Sequence, residues 1–568
     1  MSWKFFVSHS LPLFFLFFFY SFPLISTQHN DDPTFKTMHD FSGYPVDESS
    51  HTFTPSNSIS LSVDIQALQK QIDELSTFSD TPAPSVTRIL YTENDVLARR
   101  YVKNLMGLAG LSVTEDVVGN IFGRCSAIDF SLLLVSSRHC NVTVLISALH
   151  LVLTVFLICI LDGNEPELTA VATGSHIDAI PYSGKYDGVV GVLGAIEAIN
   201  ALKRSGFKPK RSLEIILFTS EEPTRFGIGC LGSRLLAGSE ALAEALKTTV
   251  DGQNISFLEA ARSAGYARDE DDLSSVFLKN DSYSAFVELH IEQAPILEEE
   301  GISIGVVTNI AAPASIKVDF EGNGGHAGGV LMPDRNDAGL AAAELMLAIE
   351  KHATESGSLD TVGTVGILEL YPGAINSIPS KAHLEIGKSL EGHIPVLIFI
   401  YALDIGVEDG YFRKNEELEQ HDVRDIEESF RNAVINKIHK AAKSIAKKRK
   451  VTLSEFKIIN QDPPAHSNGS VIKAVVHASG ELNLTYKYMI SRAYHDSLFM
   501  ARWLWGMFSW KSAGILYNRA ELSRAQTRLN IQSLKLRYSH KPEEYASPQD
   551  IENGVKVLAL TLAKLSLR

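Results

Sequence analysis

Apolar residues recur along this chain with two different spacings. Residues 63–110 and 189–202 repeat at helical spacing, whereas residues 169–173, 213–219 and 286–289 are short, largely apolar runs typical of buried strands. Because strands alternate with helices, the pattern predicts an α/β sheet. Each strand run ends in polar residues, so we expect a site at the carboxyl edge of that sheet.

The pattern changes after residue 313. Alternating apolar residues predict strands at residues 316–320 and near 361–370, and helical spacing predicts helices over residues 337–350 and 426–443. We therefore predict that residues 313–457 form a smaller α+β domain.

The length of the chain agrees with two domains. Its 568 residues exceed what one hydrophobic core normally organises. The α/β domain would be formed by residues 62–312 and 458–568, with the α+β domain inserted between these two parts.

The first residues have the layout of a signal peptide. Lys4 precedes an apolar run over residues 11–22, and small polar residues follow near Ser26. We predict that residues 1–27 are a cleaved signal peptide, with a signal anchor as the alternative. Residues 28–61 are rich in Ser, Thr, Asp and Pro, which predicts a disordered leader.

Charge and cysteine content exclude several classes of protein. A formal net charge of -15 argues against nucleic acid as a partner, because binding phosphates requires clustered Lys and Arg. The basic run at residues 447–450 could be a nuclear signal, but it follows a helical pattern and is better interpreted as cations at a helix C-terminus. The four cysteines predict neither a disulfide framework nor a zinc site.

Ionisable side chains collect at the predicted strand ends. Two-metal hydrolysis needs a carboxylate that bridges two cations, imidazole or carboxylate ligands on each, and a free carboxylate that acts as the general base. A strand-end histidine or a pair of glutamates is, by itself, more often structural, but the combination indicates a metal centre. The candidate residues are His176, Asp178, Asp187, Glu221, Glu222, His290 and His540.

Three motifs that contain these residues resemble the M20 superfamily of metallopeptidases and amidohydrolases. They are residues 174–178, 185–191 and 220–222, and they are most similar to the branch that acts on allantoate, ureidoglycolate and N-carbamoyl amino acids. The resemblance covers about residues 62–568. It implies a two-metal α/β catalytic domain with an inserted smaller α+β lid and dimerisation domain.

The resemblance also implies the metal ligands. One metal would be held by His176 and His290. The other would be held by Glu222 and His540, and Asp187 would bridge the two.

Further roles follow from the same resemblance. Glu221 would be the general base, and Asp178 would orient His176. The lid would form a homodimer in which a histidine reaches the neighbouring subunit's site. The residues implied in substrate binding are Gln293, His326, Asn376 and Arg424.

Two longer stretches, residues 74–88 and 491–498, resemble the plant ureidoglycolate amidohydrolases. This implies hydrolysis of (S)-ureidoglycolate to glyoxylate, ammonia and carbon dioxide in purine catabolism, with two Mn²⁺ per subunit, in the endoplasmic reticulum. Two alternatives stay open: an enzyme acting on allantoate or an N-carbamoyl amino acid, and an inactive or membrane-tethered product of a mis-spliced gene.

Three stretches depart from the family pattern. Residues 125–161 contain an apolar run at 142–161 that is long enough to cross a membrane, but a span there would separate parts of one fold. We therefore interpret it as translated non-coding sequence and expect no membrane partner. Residues 387–421 interrupt a predicted strand, and residues 503–537 replace a strand and a loop. A smaller change is Ala294, where the family has glycine.

Overall fold

The computed structural model describes most of the chain beyond residue 59. The described residues are 60–124, 165, 167–267, 272–279, 282–358, 361–386, 423–425, 428–505, 512–518 and 539–568. All of them belong to the unit Thr52–Arg568. The predicted signal peptide and the apolar run at 142–161 lie outside the described residues, so both interpretations stay predictions.

Nineteen strands lie in the described residues. They are β1 Val86–Arg88, β2 Ser112–Glu115, β3 Ile121–Arg124, β4 Ala170–Ser175, β5 Ala179–Ser183, β6 Leu213–Leu217, β7 Tyr283–Ile291, β8 Ile304–Ile310, β9 Ala312–Glu321, β10 Gly325–His326, β11 Val362–Gly363, β12 Ile367–Tyr371, β13 Ser377–Ile378, β14 Lys381–Ile386, β15 Val423–Asp425, β16 Thr452–Gln461, β17 Ala465–His466, β18 Tyr486–Ser491 and β19 Ser512–Asn518.

Twelve α-helices lie in the same part of the chain. They are α1 Ile65–Leu75, α2 Glu93–Leu108, α3 Val189–Arg204, α4 Leu231–Leu236, α5 Glu240–Leu246, α6 Phe257–Ser263, α7 Ile296–Glu300, α8 Ala338–Thr354, α9 Glu428–Arg449, α10 Gly469–Glu481, α11 Asp496–Trp505 and α12 Pro548–Ser566. None of these helices is long and apolar enough to cross a membrane.

The larger sheet has nine strands and carries the predicted strand ends. Its order is β17-β8-β19-β7-β4-β6-β3-β2, with β18 paired to β8. The central strands β6, β4, β7 and β19 are parallel to their neighbours in that group, whereas β3 and β8 join antiparallel. The carboxyl ends of the central strands therefore meet at one edge, and the predicted α/β class is confirmed.

Helices cover both faces of this sheet. Val171 and Ile215 pack into the core with α3, α10 and α12, while the adjacent residues Ala172 and Ile216 pack into the core with α4, α6 and α11. Strands buried on both faces need apolar residues throughout, which explains their continuous apolar runs. The helix α3 lies so close to β7 that a Cβ at Gly191 would be 2.4 Å from the carbonyl oxygen of Leu289.

A second sheet of six strands is formed by residues of the predicted insert. Its order is β11-β15-β9-β14-β12, with β16 paired to β9. The helices α8 and α9 pack on one face, against Ile316, Val318 and Phe320. The predicted strands and helices of this region are confirmed. The domain boundaries 313–457 stay a prediction, and the strands of this sheet run from Ala312 to Gln461.

The basic run ends α9, as its helical pattern predicts. Lys447, Lys448 and Arg449 occupy the last turn, where cations complement the helix dipole. Lys448 and Arg449 both pair with Glu344 on α8.

Two strands of the second sheet share one partner in a single register. Ile386, the last residue of β14, pairs with Ile316 on β9, and Val423, the first residue of β15, pairs with Ala314. Only Ser315 of β9 lies between the two pairs. The two strands thus lie end to end, which agrees with the prediction that residues 387–421 interrupt one strand.

Two expectations need correction. Residues 63–110 do not form a continuous helical region, because the short strand β1 and its flanking loops separate α1 from α2. Residues 503–537 do not lack a strand: residues 512–518 form β19, which lies between β7 and β8. Periodicity missed β19 because seven residues are too few to distinguish a strand from a helix segment.

Candidate metal centre

The functional side chains stand where three parallel strands end. His176 follows β4, Glu221 and Glu222 follow β6 after a short turn, and His290 is the penultimate residue of β7. Since these strands are parallel neighbours, their ends place the four side chains at one edge of the sheet. The edge predicted from the sequence is therefore the edge that is observed.

A first group of possible ligands consists of His176, Asp187 and His290. All three are buried, and their ligand atoms lie within 4.8 Å of one another. Nε2 of His290 is 3.0 Å from Oδ1 of Asp187, and Nε2 of His176 is 3.9 Å from the same oxygen.

The two histidines are held in the orientation that metal binding requires. Nδ1 of His176 is 3.1 Å from the carbonyl oxygen of Asp178, and Nδ1 of His290 is 2.9 Å from that of Ile291. A Nδ1–H that donates to a main-chain carbonyl leaves the lone pair on Nε2 free for a cation.

A second group consists of Asp187, Glu222 and His540, again with ligand atoms within 4.8 Å. Nε2 of His540 is 3.1 Å from Oε1 of Glu222 and 3.4 Å from Oδ2 of Asp187. Asp187 is common to both groups: its Oδ1 faces His290 and His176, and its Oδ2 faces His540. Imidazole and carboxylate donors around a shared carboxylate fit two divalent transition-metal ions.

Asp178 supports the glutamates as well as His176. Its carboxylate accepts hydrogen bonds from the main-chain N–H of Glu221 at 3.2 Å and of Glu222 at 2.9 Å. Its Oδ1 is 3.5 Å from Nδ1 of His176, farther than its own carbonyl oxygen. The expected orientation of His176 thus involves the main chain of Asp178 more closely than its side chain.

Glu221 belongs to neither ligand group. Its Oε2 is 3.9 Å from Nε2 of His176, and its Oε1 accepts a hydrogen bond from the Cys230 thiol at 3.3 Å. Burial raises the pKa of Glu221 well above its ordinary value; the charge of His176 opposes this shift and that of Glu222 adds to it. A buried carboxylate beside the ligands, but outside both groups, can accept and return a proton.

Asp187 is held ionised by the histidines around it. Burial favours its neutral form, but hydrogen bonds and charge from His290 and His540 outweigh burial and bring its pKa well below the ordinary value. Its Oδ2 also accepts hydrogen bonds at 2.9 Å from Gln293 Nε2 and from Ser539 Oγ.

Sequence reasoning missed several supporting residues. Glu288, on the same face of β7 as His290, accepts hydrogen bonds from Ser175 Oγ at 2.7 Å and from the Ser497 N–H at 3.0 Å. Glu288, His290 and His495 form a third group of possible metal ligands. Because both Glu288 oxygens already accept hydrogen bonds, we interpret Glu288 as a residue that holds Ser175 and Ser497 in place. The sequence feature that could have revealed this role is a glutamate inside an otherwise apolar strand.

The residues predicted to bind substrate lie in three different places. Gln293 lies at the centre, against Asp187. His326 and Asn376 are exposed and adjacent, since the Ala327 N–H donates to the Asn376 carbonyl at 2.8 Å. Arg424 lies on β15, and its side chain lies outside the described part of the structure.

Four residues other than glycine adopt left-handed backbone conformations around the metal centre. They are Ser220, Cys230, Gln293 and His540, with φ of 55°, 51°, 61° and 62°. Such conformations cost roughly 1–3 kcal/mol each and occur preferentially at functional sites.

Comparisons with known proteins agree with this geometry. The family model of peptidase family M20/M25/M40 matches residues 172–564. The ureidoglycolate hydrolase of Arabidopsis thaliana is 61% identical over 96% of this chain and 96% of its own length. That of Oryza sativa subsp. japonica is 57% identical over 94% and 91%. The crystal structure of AtUAH in complex with glyoxylate is 63% identical, with a TM-score of 0.72, and covers 90% of this chain and 99% of its own.

Proposed function

The chain belongs to peptidase family M20/M25/M40, and on this premise we propose that it is an amidohydrolase that converts (S)-ureidoglycolate to glyoxylate, ammonia and carbon dioxide. The observation that carries the proposal is Asp187, which is shared by two groups of histidine and carboxylate side chains. The identity of 61% to a ureidoglycolate hydrolase supports the substrate.

Two divalent ions, when bound, would polarise the ureido carbonyl and lower the pKa of water. Glu221 would take the proton from the attacking water and return it to the departing nitrogen. Cleavage of the ureido group releases ammonia and carbon dioxide and leaves hydroxyglycine, which loses a second ammonia to give glyoxylate. AtUAH has been crystallised with both (S)-hydroxyglycine and glyoxylate, which supports this sequence of products.

Ammonia release from purified protein tests the proposal. With Mn²⁺ present, (S)-ureidoglycolate should be hydrolysed much faster than allantoate or an N-carbamoyl amino acid. Faster turnover of either competitor would replace the proposed substrate by that of another member of the branch.

We propose Mn²⁺ as the metal, two per subunit, because the resemblance to plant ureidoglycolate amidohydrolases implies this ion and carboxylate donors suit it. Chelation followed by reconstitution with Mn²⁺, Zn²⁺ or Co²⁺ should restore the highest activity with Mn²⁺. Metal analysis should find two equivalents bound. A single equivalent, or full activity after chelation, would contradict the two-metal assignment.

We further propose a homodimer formed through the second sheet and its helices. Leu340 and Leu347 lie on one face of α8 and are 39% and 66% exposed, and β12 is an edge strand of its sheet. A group of exposed apolar side chains on one face, rather than one alone, marks a partner surface. Leu347→Glu should produce monomers in light-scattering measurements, whereas Leu108→Glu, on the 86% exposed Leu108 of α2, should not.

In this dimer His326 and Asn376 would complete the partner's site, with Gln293 and Arg424 binding substrate within each subunit. Both His326 and Asn376 are exposed, and the pairing of His326 with Ser377 between β10 and β13 brings them close together. Mixing inactive Glu221→Gln and His326→Ala subunits should restore part of the activity, since one site of each mixed dimer has both residues. No recovery would place His326 in its own subunit's site.

The apolar start of the chain supports a location in the endoplasmic reticulum. A fluorescent fusion of the full chain should co-localise with a marker of the endoplasmic reticulum, and a fusion lacking residues 1–27 should not. Identical distributions would contradict this location.

A further inference from the structure

One short segment of the chain brings three side chains to the bridging aspartate. Ser539 Oγ donates to Oδ2 of Asp187 at 2.9 Å, and His540 Nε2 is 3.4 Å from the same oxygen. Oε1 of Glu544 accepts hydrogen bonds from the N–H of Asp187 at 3.0 Å and of Tyr186 at 2.8 Å. The segment therefore holds Asp187 by both its side chain and its main chain.

Glu544 is built into this place. It is buried, and a Cβ at Gly184 would lie 2.3 Å from its own Cβ, so the loop before Asp187 leaves room for it only because residue 184 is glycine. The Glu544 N–H donates to the Lys541 carbonyl at 3.0 Å, which closes the turn that also carries His540. Glu544 is a member of neither ligand group.

We propose that Glu544 is a positioning residue that fixes Asp187 and His540 relative to each other. Two consecutive N–H groups that donate to one carboxylate oxygen fix the peptide plane before Asp187. The turn from Lys541 to Glu544 transmits the same constraint to His540. Residues that orient ligands in this way typically change metal affinity by about 10–100-fold when they are lost.

The proposal rests on the proposed two-metal function, and metal binding separates the two. Mn²⁺ affinity and stoichiometry are measured by calorimetry, and the magnetic coupling of paired ions by electron paramagnetic resonance. Wild-type protein that binds no Mn²⁺ pair would contradict the proposed function. A wild type that binds two ions, with variants that bind them equally well, would overturn the role of Glu544 alone.

Substitutions at Glu544 distinguish hydrogen bonding from packing. Glu544→Gln keeps an oxygen acceptor and should bind Mn²⁺ nearly as wild type does. Glu544→Met keeps the volume without the acceptor, and should weaken the second ion about 10–100-fold and remove the magnetic coupling. Glu543→Ala, at the exposed neighbouring residue, is the matched control and should change nothing. Equal affinities for the Gln and Met variants would overturn the proposal.

Gly184→Ala provides an independent test that leaves Glu544 intact. The added Cβ would displace the Glu544 side chain, so this variant should lose the second ion as Glu544→Met does. If Glu544→Met fails to fold, as circular dichroism would show, Gly184→Ala still tests the positioning role of Glu544. A Gly184→Ala protein that binds two coupled ions with wild-type affinity would overturn the proposal.

Discussion

At the scale of single residues, Asp178 supports two adjacent glutamates that have different surroundings. It accepts a hydrogen bond from the N–H of each, and so fixes the main chain from which both side chains leave. From this common origin Glu222 reaches His540, whereas Glu221 turns to His176 and Cys230. Adjacent residues of the same type can therefore have different roles.

This difference predicts different effects for two equivalent substitutions. Glu221→Gln should retain both ions and lose turnover by several orders of magnitude, because the base lies outside the ligand groups. Glu222→Gln should lower metal occupancy, because it weakens a ligand. Metal analysis beside ammonia release checks both, and equal metal loss in the two variants would contradict the assigned roles.

Gly188 is a second residue at which one substitution should disturb the metal centre. It has φ of 64°, and an added Cβ would lie 2.5 Å from Nε2 of His176. Gly188→Ala should therefore displace that ligand and lower both the melting temperature and Mn²⁺ affinity. Gly206→Ala is the control, since Gly206 has φ of 74° and open space around it. Its backbone strain should lower stability by roughly 1–2 kcal/mol and leave metal binding unchanged. Equal metal affinities in both variants would show that the contact with His176 is harmless.

Sequence predicted the ligand side chains better than their supports. His176 and His290 could be found because they follow apolar runs, and Asp187 because the order of the motifs resembles a family. Cys230 and Glu544 could not, because their roles depend on hydrogen bonds that form only in the folded chain, with the Glu221 side chain and the Asp187 main chain. Such contacts depend on the fold rather than on local pattern.

At the scale of elements, β14 and β15 show how a strand tolerates interruption. The two strands pair with β9 in one register, with Ser315 alone between their paired ends. Deletion of residues 387–421 would leave Asp422 to pair with Ser315 and make the strand continuous. The family resemblance implied that residues 387–421 interrupt one strand, but the register that joins its halves required the structure.

We expect this deletion to stabilise the protein. Removing a connection of this length recovers roughly 3 kcal/mol of closure entropy at most, which should raise the melting temperature by a few degrees. Deletion of residues 387–422 is the control, because it moves Val423 by one residue and turns every side chain of β15 to the opposite face. That variant should lose stability and affinity for a carboxylate substrate. Equal melting temperatures for the two deletions would show that register is not maintained across the interruption.

At the scale of the whole molecule, the connection between β3 and β4 is longer than its span requires. Only β6 separates these strands, so their paired ends are about 10 Å apart. Residues 162–169 alone could extend over roughly 26 Å. The fold therefore needs no part of residues 125–161. Their apolar run, if exposed, would favour aggregation.

A chain without residues 125–161 and 387–421 should hydrolyse ureidoglycolate faster than the full chain. Both proteins are assayed for ammonia release at equal concentration with Mn²⁺, and soluble yield is compared. The expected gain arises from a larger correctly folded fraction, so kcat per bound metal pair should change less than total activity. Comparable yield and activity in both would show that the insertions are tolerated.

The left-handed backbone around the metal centre makes thermal stability and catalysis respond in opposite directions to the same change. Glycine at Ser220, Cys230 or Gln293 would relieve backbone strain and remove a side chain from the site. A directed-evolution screen for heat resistance alone should therefore accumulate glycine at these residues. A screen for ammonia release should reject it, because the conformations that cost stability are those that hold the site in place.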